Sequence, residues 1–278
     1  MSTLTAEPKT TTRSIAPFLL RRLHSLTGIL FGGYVMLHLT INATLAEGSR
    51  YDGQPTIYQL QVDRIHSLPF LGLLSAGLIL LPIVYHTIHG FHVLFSGRQN
   101  VAEYGYARNW LYLLQRISAL ILVLFIAFHY LAFKGAFNQV LGEEMHFVPS
   151  RATESTILHF QKHWWIGWIV YPIGVLAAAF HTANGFFAAA IAWGLTVSTA
   201  AQRRWGVICL ALFLFMLTAG FTAIVAVMRH EPVAPIEKSI PRVQVPPVDQ
   251  TRASIAALRQ PCPNWWYLPR NNCPISSG

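Results

Sequence analysis

The chain alternates between long apolar blocks and short polar stretches. Five blocks are continuous enough to be read as helices, over about residues 23–46, 67–95, 111–133, 164–192 and 206–228. Each reaches the roughly 20 apolar residues that carry a helix across a hydrocarbon core of about 30 Å. They have little amphipathic period, because a helix with lipid on one side and protein on the other is apolar all round. Gly32-Gly33, Pro82 and Pro172 sit inside these blocks. In a bilayer, neighbouring helices and local adjustments satisfy the backbone groups that such residues free. The pattern predicts an all-α polytopic membrane protein, a bundle of five transmembrane helices. It divides the chain into an N-terminal segment (1–20), the transmembrane domain (21–228) and a tail (229–278). In the tail, Pro232, Pro235, Pro241, Pro246 and Pro247 forbid long helix. A short helix around Arg252–Arg259 fits, and the aromatic end Trp265-Trp266-Tyr267 suits a membrane interface.

Composition narrows the classes further. Of 278 residues, 53% are hydrophobic and 11% charged, where a soluble domain is about one-quarter charged. A soluble fold, a disordered chain and a collagen-like fibre all fit poorly. The formal charge of +9 sorts by membrane side. With the N-terminus inside, Lys9, Arg13, Arg21, Arg22, Arg98, Arg108, Arg116, Arg203 and Arg204 stand against Glu7 and Glu103 there, a net +7. The two outer loops carry −1 and the tail +3. The positive-inside rule therefore predicts the N-terminus inside and the tail outside. The excess charge reports topology and gives no ground for a nucleic-acid partner. The N-terminus lacks the short apolar core of a signal peptide.

The three cysteines form no C-x-x-C pair. This argues against a zinc ribbon, a cysteine-ligated iron–sulfur cluster and covalently attached haem. Cys262 and Cys273 fall in the tail, on the side where oxidation is permitted, and are expected to form a disulfide. Cys209, near the inner end of the fifth helix, is expected to stay reduced.

Ionisable groups inside a span are expensive and point to function. Here the interior ionisable residues are histidines: His38, His86, His89, His92, His129 and His181. Their depths form two sets. At 1.5 Å per residue, His38 and His129 lie about 14 and 8 Å from the outer markers Glu47 and Lys134. His86 and His181 lie about 30 and 29 Å from His66 and Lys162. Two axial imidazoles at one height, on neighbouring helices, are what a haem iron needs. Two such pairs predict two stacked haems. Gly28, Gly32, Gly33, Ser118, Ala119, Gly174 and Gly185 lie beside them, small enough to leave room for a flat macrocycle or to pack helices closely. Metal transport is the rival use of buried histidines, but it favours carboxylates or thiolates beside them, and none are present. His89 and His92 share the helix of His86, and spacing alone does not choose between His86 and His89.

The wording of the sequence around these histidines is itself informative. Arg21-Arg22-Leu23-His24-Ser25 opens the first span; Ser67-Leu68-Pro69-Phe70 and Leu81-Pro82-Ile83-Val84-Tyr85-His86 belong to the second. Arg108-Asn109-Trp110 and Leu113-Leu114-Gln115-Arg116 open the third, and Phe180-His181-Thr182-Ala183-Asn184-Gly185 marks the fourth. In order and spacing, over about two-thirds of the chain, these resemble the single-chain, five-helix, di-haem cytochrome b558-type membrane anchor of succinate dehydrogenases and fumarate reductases. The resemblance implies axial ligands at His38, His86, His129 and His181, paired His38–His129 and His86–His181, with the Tyr85-His86 to Gly90 frame selecting His86. It implies that His24, Ser25 and Arg116 lie near the inner haem propionates, where a cation and hydroxyls satisfy carboxylates. It further implies a subunit without its own succinate site, in a bacterial cytoplasmic membrane. Flavoprotein and iron–sulfur subunits dock on the cytoplasmic side, and two b haems exchange electrons with a quinone, most often menaquinone. The whole complex is a possible oligomer.

Two features depart from that family. The tail of about 50 residues is longer than usual. His66 stands where relatives often carry an acid associated with quinone proton handling; it can relay protons, and Asp63, one turn earlier, can share the role. Two other readings use the same histidines: the cytochrome b anchor of a hydrogenase or formate dehydrogenase, and a haem-free transporter with a histidine proton relay.

Overall fold

The computed structural model describes residues 15–48, 54–98, 100–142 and 145–231. The tail beyond Glu231, with the expected Cys262–Cys273 bridge, lies outside these residues. The described part is helical, with five helices long and apolar enough to cross a membrane and no β-strand. α1 spans Ala16–Ala43. A short surface helix, α2, covers Ile57–His66. α3 runs Leu71–Ser96 and α4 Ala107–Phe133. A second surface helix, α5, covers Ala152–Gln161. α6 runs Ile166–Ala192 and α7 Thr199–Arg229.

The ends of these helices follow local chemistry more than hydropathy. α1 starts seven residues before the predicted apolar block because Pro17 occupies the first turn, where its missing N–H costs nothing. The charged Arg21 and Arg22 are good helix formers and let the helix run on outside the apolar zone. α7 likewise starts at Thr199 and not at 206, because the Ser198 hydroxyl accepts from the Ala201 amide at 3.2 Å. The block predicted from 67 breaks instead. Pro69 follows α2, Phe70 takes a left-handed conformation (φ 56°, ψ 30°), and the membrane helix begins at Leu71.

α3 and α6 share a device. Each contains one widened turn, Ala76–Leu80 and Ile166–Val170, that ends two residues before a proline. The Leu81 N–H bonds to the Ala76 carbonyl and the Tyr171 N–H to the Ile166 carbonyl, five residues back in each case. A proline removes one amide from the ladder and its ring crowds the preceding turn, and a π turn makes room for it.

α1 packs on α3, α6 and α7; α6 also packs on α4 and α7. The core runs through Leu39, Ile166, Tyr171, Val175, Ala179, Met216 and Ile224. The rest of the bundle surface is apolar, as at Leu73, Leu124 and Val207, which suits lipid. α2 and α5 close one end. Gln59 of α2 joins them: its Oε1 accepts from the Ala152 amide at 2.7 Å, and its Nε2 donates to the Pro149 carbonyl at 2.9 Å. Thr56 meets Thr153 at 2.5 Å beside it. Cys209 is buried with a free thiol.

Candidate functional site

The histidines meet in two layers. At the end closed by α2 and α5, His38 of α1 faces His129 of α4, with ring centroids 5.8 Å apart and the rings nearly perpendicular at 78°. At the other end, His86 of α3 faces His181 of α6 at 6.2 Å and 83°. An imidazole nitrogen binds a divalent first-row metal at about 2 Å, so two rings on opposite sides of one ion have centroids about 6 Å apart. Both pairs fit that spacing. The layers are well separated. Gly28 lies against the His86 ring and is ten residues before His38; Ser118 lies against His181 and is eleven residues before His129. Both counts give about 15–17 Å along the helix axis.

Hydrogen bonds orient three of the four rings. The Nδ1–H of His86 donates to the His24 carbonyl at 3.0 Å. His181 Nδ1 lies 3.2 Å from the Ser118 hydroxyl, which itself donates to the Gln115 carbonyl at 3.0 Å. With the hydroxyl proton used, Ser118 accepts and the His181 Nδ1 carries the proton. His129 Nδ1 lies 3.0 Å from the Tyr171 hydroxyl. In each case the tied nitrogen is Nδ1, which leaves Nε2 as the atom that can take a metal. His38 differs. The Asn42 amide nitrogen lies 3.4 and 3.5 Å from its two ring nitrogens and gives its short bond, 2.7 Å, to the His38 carbonyl.

His89 does not face His181. Its ring lies parallel to Tyr85 and leans on His24 and His92, and its Nε2 is buried without a hydrogen bond. His24 stacks on His86 with centroids 4.1 Å apart, and its Nδ1 is also buried without a partner. Ser25 accepts from the Trp193 indole at 2.9 Å. Arg116 donates to the Tyr112 hydroxyl at 2.8 Å and to the Gly97 carbonyl at 3.3 Å. These three residues gather at the His86–His181 end. His66 and Asp63 sit exposed at the end of α2, where the Asp63 carboxylate accepts from Gln59 at 2.8 Å.

The small residues divide by what they touch. A side chain on Gly28 meets the His86 ring, with Cβ 2.6 Å from Cε1. One on Gly32 meets Phe186 and Thr182, and one on Gly174 meets Phe125. These three serve close approach of side chains from other helices. Gly33 faces open space, with nothing within 4 Å.

Tyr171 and His159 complete the His129 end of the site without a signature in the sequence. Tyr171 is hidden in an apolar run, and His159 lies in a loop segment outside every predicted span. Ser118 was noted only for its size. The signal was partner geometry, which no spacing rule carries.

No protein-family model matches the chain. It is 31% identical over 212 residues to the succinate dehydrogenase cytochrome b558 subunit of Bacillus subtilis (strain 168), covering 75% of this chain and 96% of that protein. The chain belongs to the succinate dehydrogenase cytochrome b558 subunit family. Five apolar helices and this membership make it a multi-pass membrane protein of the bacterial type. The departures from the B. subtilis cytochrome b558 subunit include length, since a quarter of the present chain has no counterpart in the match.

Proposed function

We propose that this cytochrome b558-family chain is the membrane anchor and electron-transfer subunit of a succinate:quinone oxidoreductase. It carries electrons between an iron–sulfur subunit on the cytoplasmic side and menaquinone, with two b haems as its redox centres. The observation that carries the reading is the pair of facing histidine couples, His38–His129 and His86–His181, at two levels of one bundle. Each couple offers nitrogen donors with no thiolate or carboxylate beside it among the described residues, which suits haem iron. Haem bound there supplies a one-electron redox centre. The chain's own residues do the holding. His24 O and Ser118 fix the rings of His86 and His181. His24, Ser25 and Arg116 supply polar groups at the same end, where propionates need them. Residues 1–20 are cytoplasmic and the tail lies outside, so α2 and α5 cap the outer face, where His66 and Asp63 are candidates for quinone proton transfer.

The test is a reduced-minus-oxidised absorption spectrum of the full chain in membranes, with each histidine replaced in turn. His38→Ala and His129→Ala should remove one b haem, His86→Ala and His181→Ala the other, and His89→Ala neither. Loss of a haem in His89→Ala with both retained in His86→Ala contradicts the ligand set. Co-purification of a flavoprotein that oxidises succinate separates this reading from a hydrogenase or formate dehydrogenase anchor.

A further inference from the structure

We propose that Tyr171 and His159 are positioning residues for His129: together they decide which of its ring nitrogens carries the proton, and so hold Nε2 ready for the iron. The proposal rests on the reading that His129 is a haem ligand. It adds two residues outside the ligand set, one of them in α5, outside every membrane-spanning helix.

The argument is an accounting of protons along one chain of hydrogen bonds. His159 is fully buried and its Nδ1 lies 2.9 Å from the Met145 carbonyl, itself on a fully buried residue. A carbonyl only accepts, so the His159 Nδ1 is the protonated nitrogen. Burial pushes the His159 pKa down to about 4, so the ring is neutral at pH 7 and its Nε2 is an acceptor. The Tyr171 hydroxyl lies 2.8 Å from that Nε2 and donates to it. A phenol has one proton. With that proton spent on His159, the Tyr171 oxygen can only accept from His129, whose Nδ1 lies 3.0 Å away. The His129 proton is thereby placed on Nδ1, and the lone pair is on Nε2.

Packing holds each link. His159 stacks on Phe133, one turn beyond His129 on α4, with centroids 4.1 Å apart. Tyr171 is 4% exposed and lies edge-on to Phe125, which stacks on His129 from the turn before. The widened turn Ile166–Val170 ends one residue before Tyr171, so the irregularity of α6 sits next to the residue that reaches across to α4. For His38, opposite, the contacts to its ring nitrogens among the described residues come from the Asn42 amide, one turn on. The α2–α5 end of the bundle therefore has one ring tied by a buried polar relay and one contacted by Asn42 and Tyr34 of its own helix. Outer partners of this kind orient a ligand and raise its basicity, and their loss typically costs about 10–100-fold in metal affinity or activity.

The experiment uses the full chain in membranes. Tyr171→Phe keeps the ring and removes only the oxygen. His159→Phe keeps a ring and removes the acceptor. His159→Gln retains a carboxamide oxygen that can accept from Tyr171. The haems are followed by redox titration of their absorption bands and by the EPR signals of the oxidised iron. In Tyr171→Phe and in His159→Phe, the haem that His129→Ala removes should show a raised midpoint potential and a changed EPR signal. The shifts should be similar and should not add in the double variant. The haem that His86→Ala removes should stay where it is, and His159→Gln should return the potential towards that of the unaltered chain. Loss of only the first haem in Tyr171→Phe also supports the proposal, because the change is isosteric. An unmoved potential in Tyr171→Phe, an equal shift in both haems, or a His159→Gln potential matching that of His159→Phe overturns it. If His129→Ala keeps both haems, the ligand assignment falls and this proposal with it.

Discussion

Gly28 separates the two layers at the level of a single residue. Its α-carbon lies so close to His86 that a Cβ falls 2.6 Å from the imidazole. The ring is also tied to the His24 carbonyl, one turn before Gly28 on the same helix. A branched side chain at position 28 must displace the ring that faces His181. Gly28→Val should therefore lose the haem assigned to His86–His181 and keep the other, as read from the absorption spectrum. Gly72→Ala, where a Cβ meets nothing within 4 Å, should keep both. Equal spectra for the two variants contradict the close approach. His159 gives a second residue-level expectation. In the fold, burial holds its pKa at about 4; in the unfolded chain it titrates near 6.5. The unfolded chain takes up the proton first as pH falls. Stability from this group is thus intact above about pH 6.5 and is lost between there and pH 4, by roughly 3 kcal/mol at the floor. Thermal unfolding of the purified chain from pH 7 to 4.5 should show this dependence, and His159→Gln should flatten part of it. Parallel pH curves for the two proteins contradict the assignment.

Among the elements, α5 depends on its neighbour more than on its own sequence. Seven of its ten residues are buried, yet its N-terminus has no side-chain cap of its own. Gln59 of α2 acts instead, accepting from the Ala152 amide. Loss of a helix cap costs about 0.5–2 kcal/mol, and 1.4 kcal/mol is tenfold in an opening equilibrium. Gln59→Ala should speed amide exchange across 152–161 by about two- to thirtyfold while α4 is unchanged. Uniform exchange in the two proteins contradicts the shared cap. This pair of helices also shows what the sequence did and did not disclose about the fold. Apolar length announced the five spans, because a hydrocarbon core rewards it, and the histidines stood out within them because it does not reward an imidazole. Pro17 in the first turn of α1 and the Ser198 cap of α7 moved two helix starts outward by seven residues each, since a helix start answers to local backbone chemistry and not to hydropathy. α2 and α5 carry mixed sequences whose burial comes only from packing on each other and on the bundle. Such helices have no one-dimensional signature.

For the whole molecule, the separation of the layers sets the energetics. The proposed topology places one histidine pair near each face, and quinone chemistry near His66 at the outer one. Electrons from the cytoplasmic side then cross most of the membrane, and the field does work of about 2.3 kcal/mol per charge per 100 mV. Two electrons at 100 mV feel roughly 4–5 kcal/mol if they traverse the whole potential. Collapsing the potential with an uncoupler should slow succinate-driven quinone reduction in intact cells, and His66→Ala should impair quinone turnover with both haem spectra unchanged. An unaltered rate with the uncoupler places the quinone on the cytoplasmic side. The four histidines of the site were legible beforehand because an imidazole in an apolar run is conspicuous. The Tyr171–His159 relay was not, because one partner is an ordinary aromatic in that run and the other approaches it from a surface helix. The two widened turns bear on how such a chain tolerates changes in length. A π turn holds one residue more than an α turn, and Ala76–Leu80 and Ile166–Val170 both lie on the loop side of their prolines. Deleting a single residue from either can be absorbed by a return to α geometry, with His86 and His181 still on the C-terminal side and in register. α1 holds no such slack between Gly28 and His38. A one-residue deletion there turns His38 by about 100° away from His129. Insertions and deletions are therefore expected to accumulate at or before the widened turns of α3 and α6, while the distance in residues from Gly28 to His38 stays fixed.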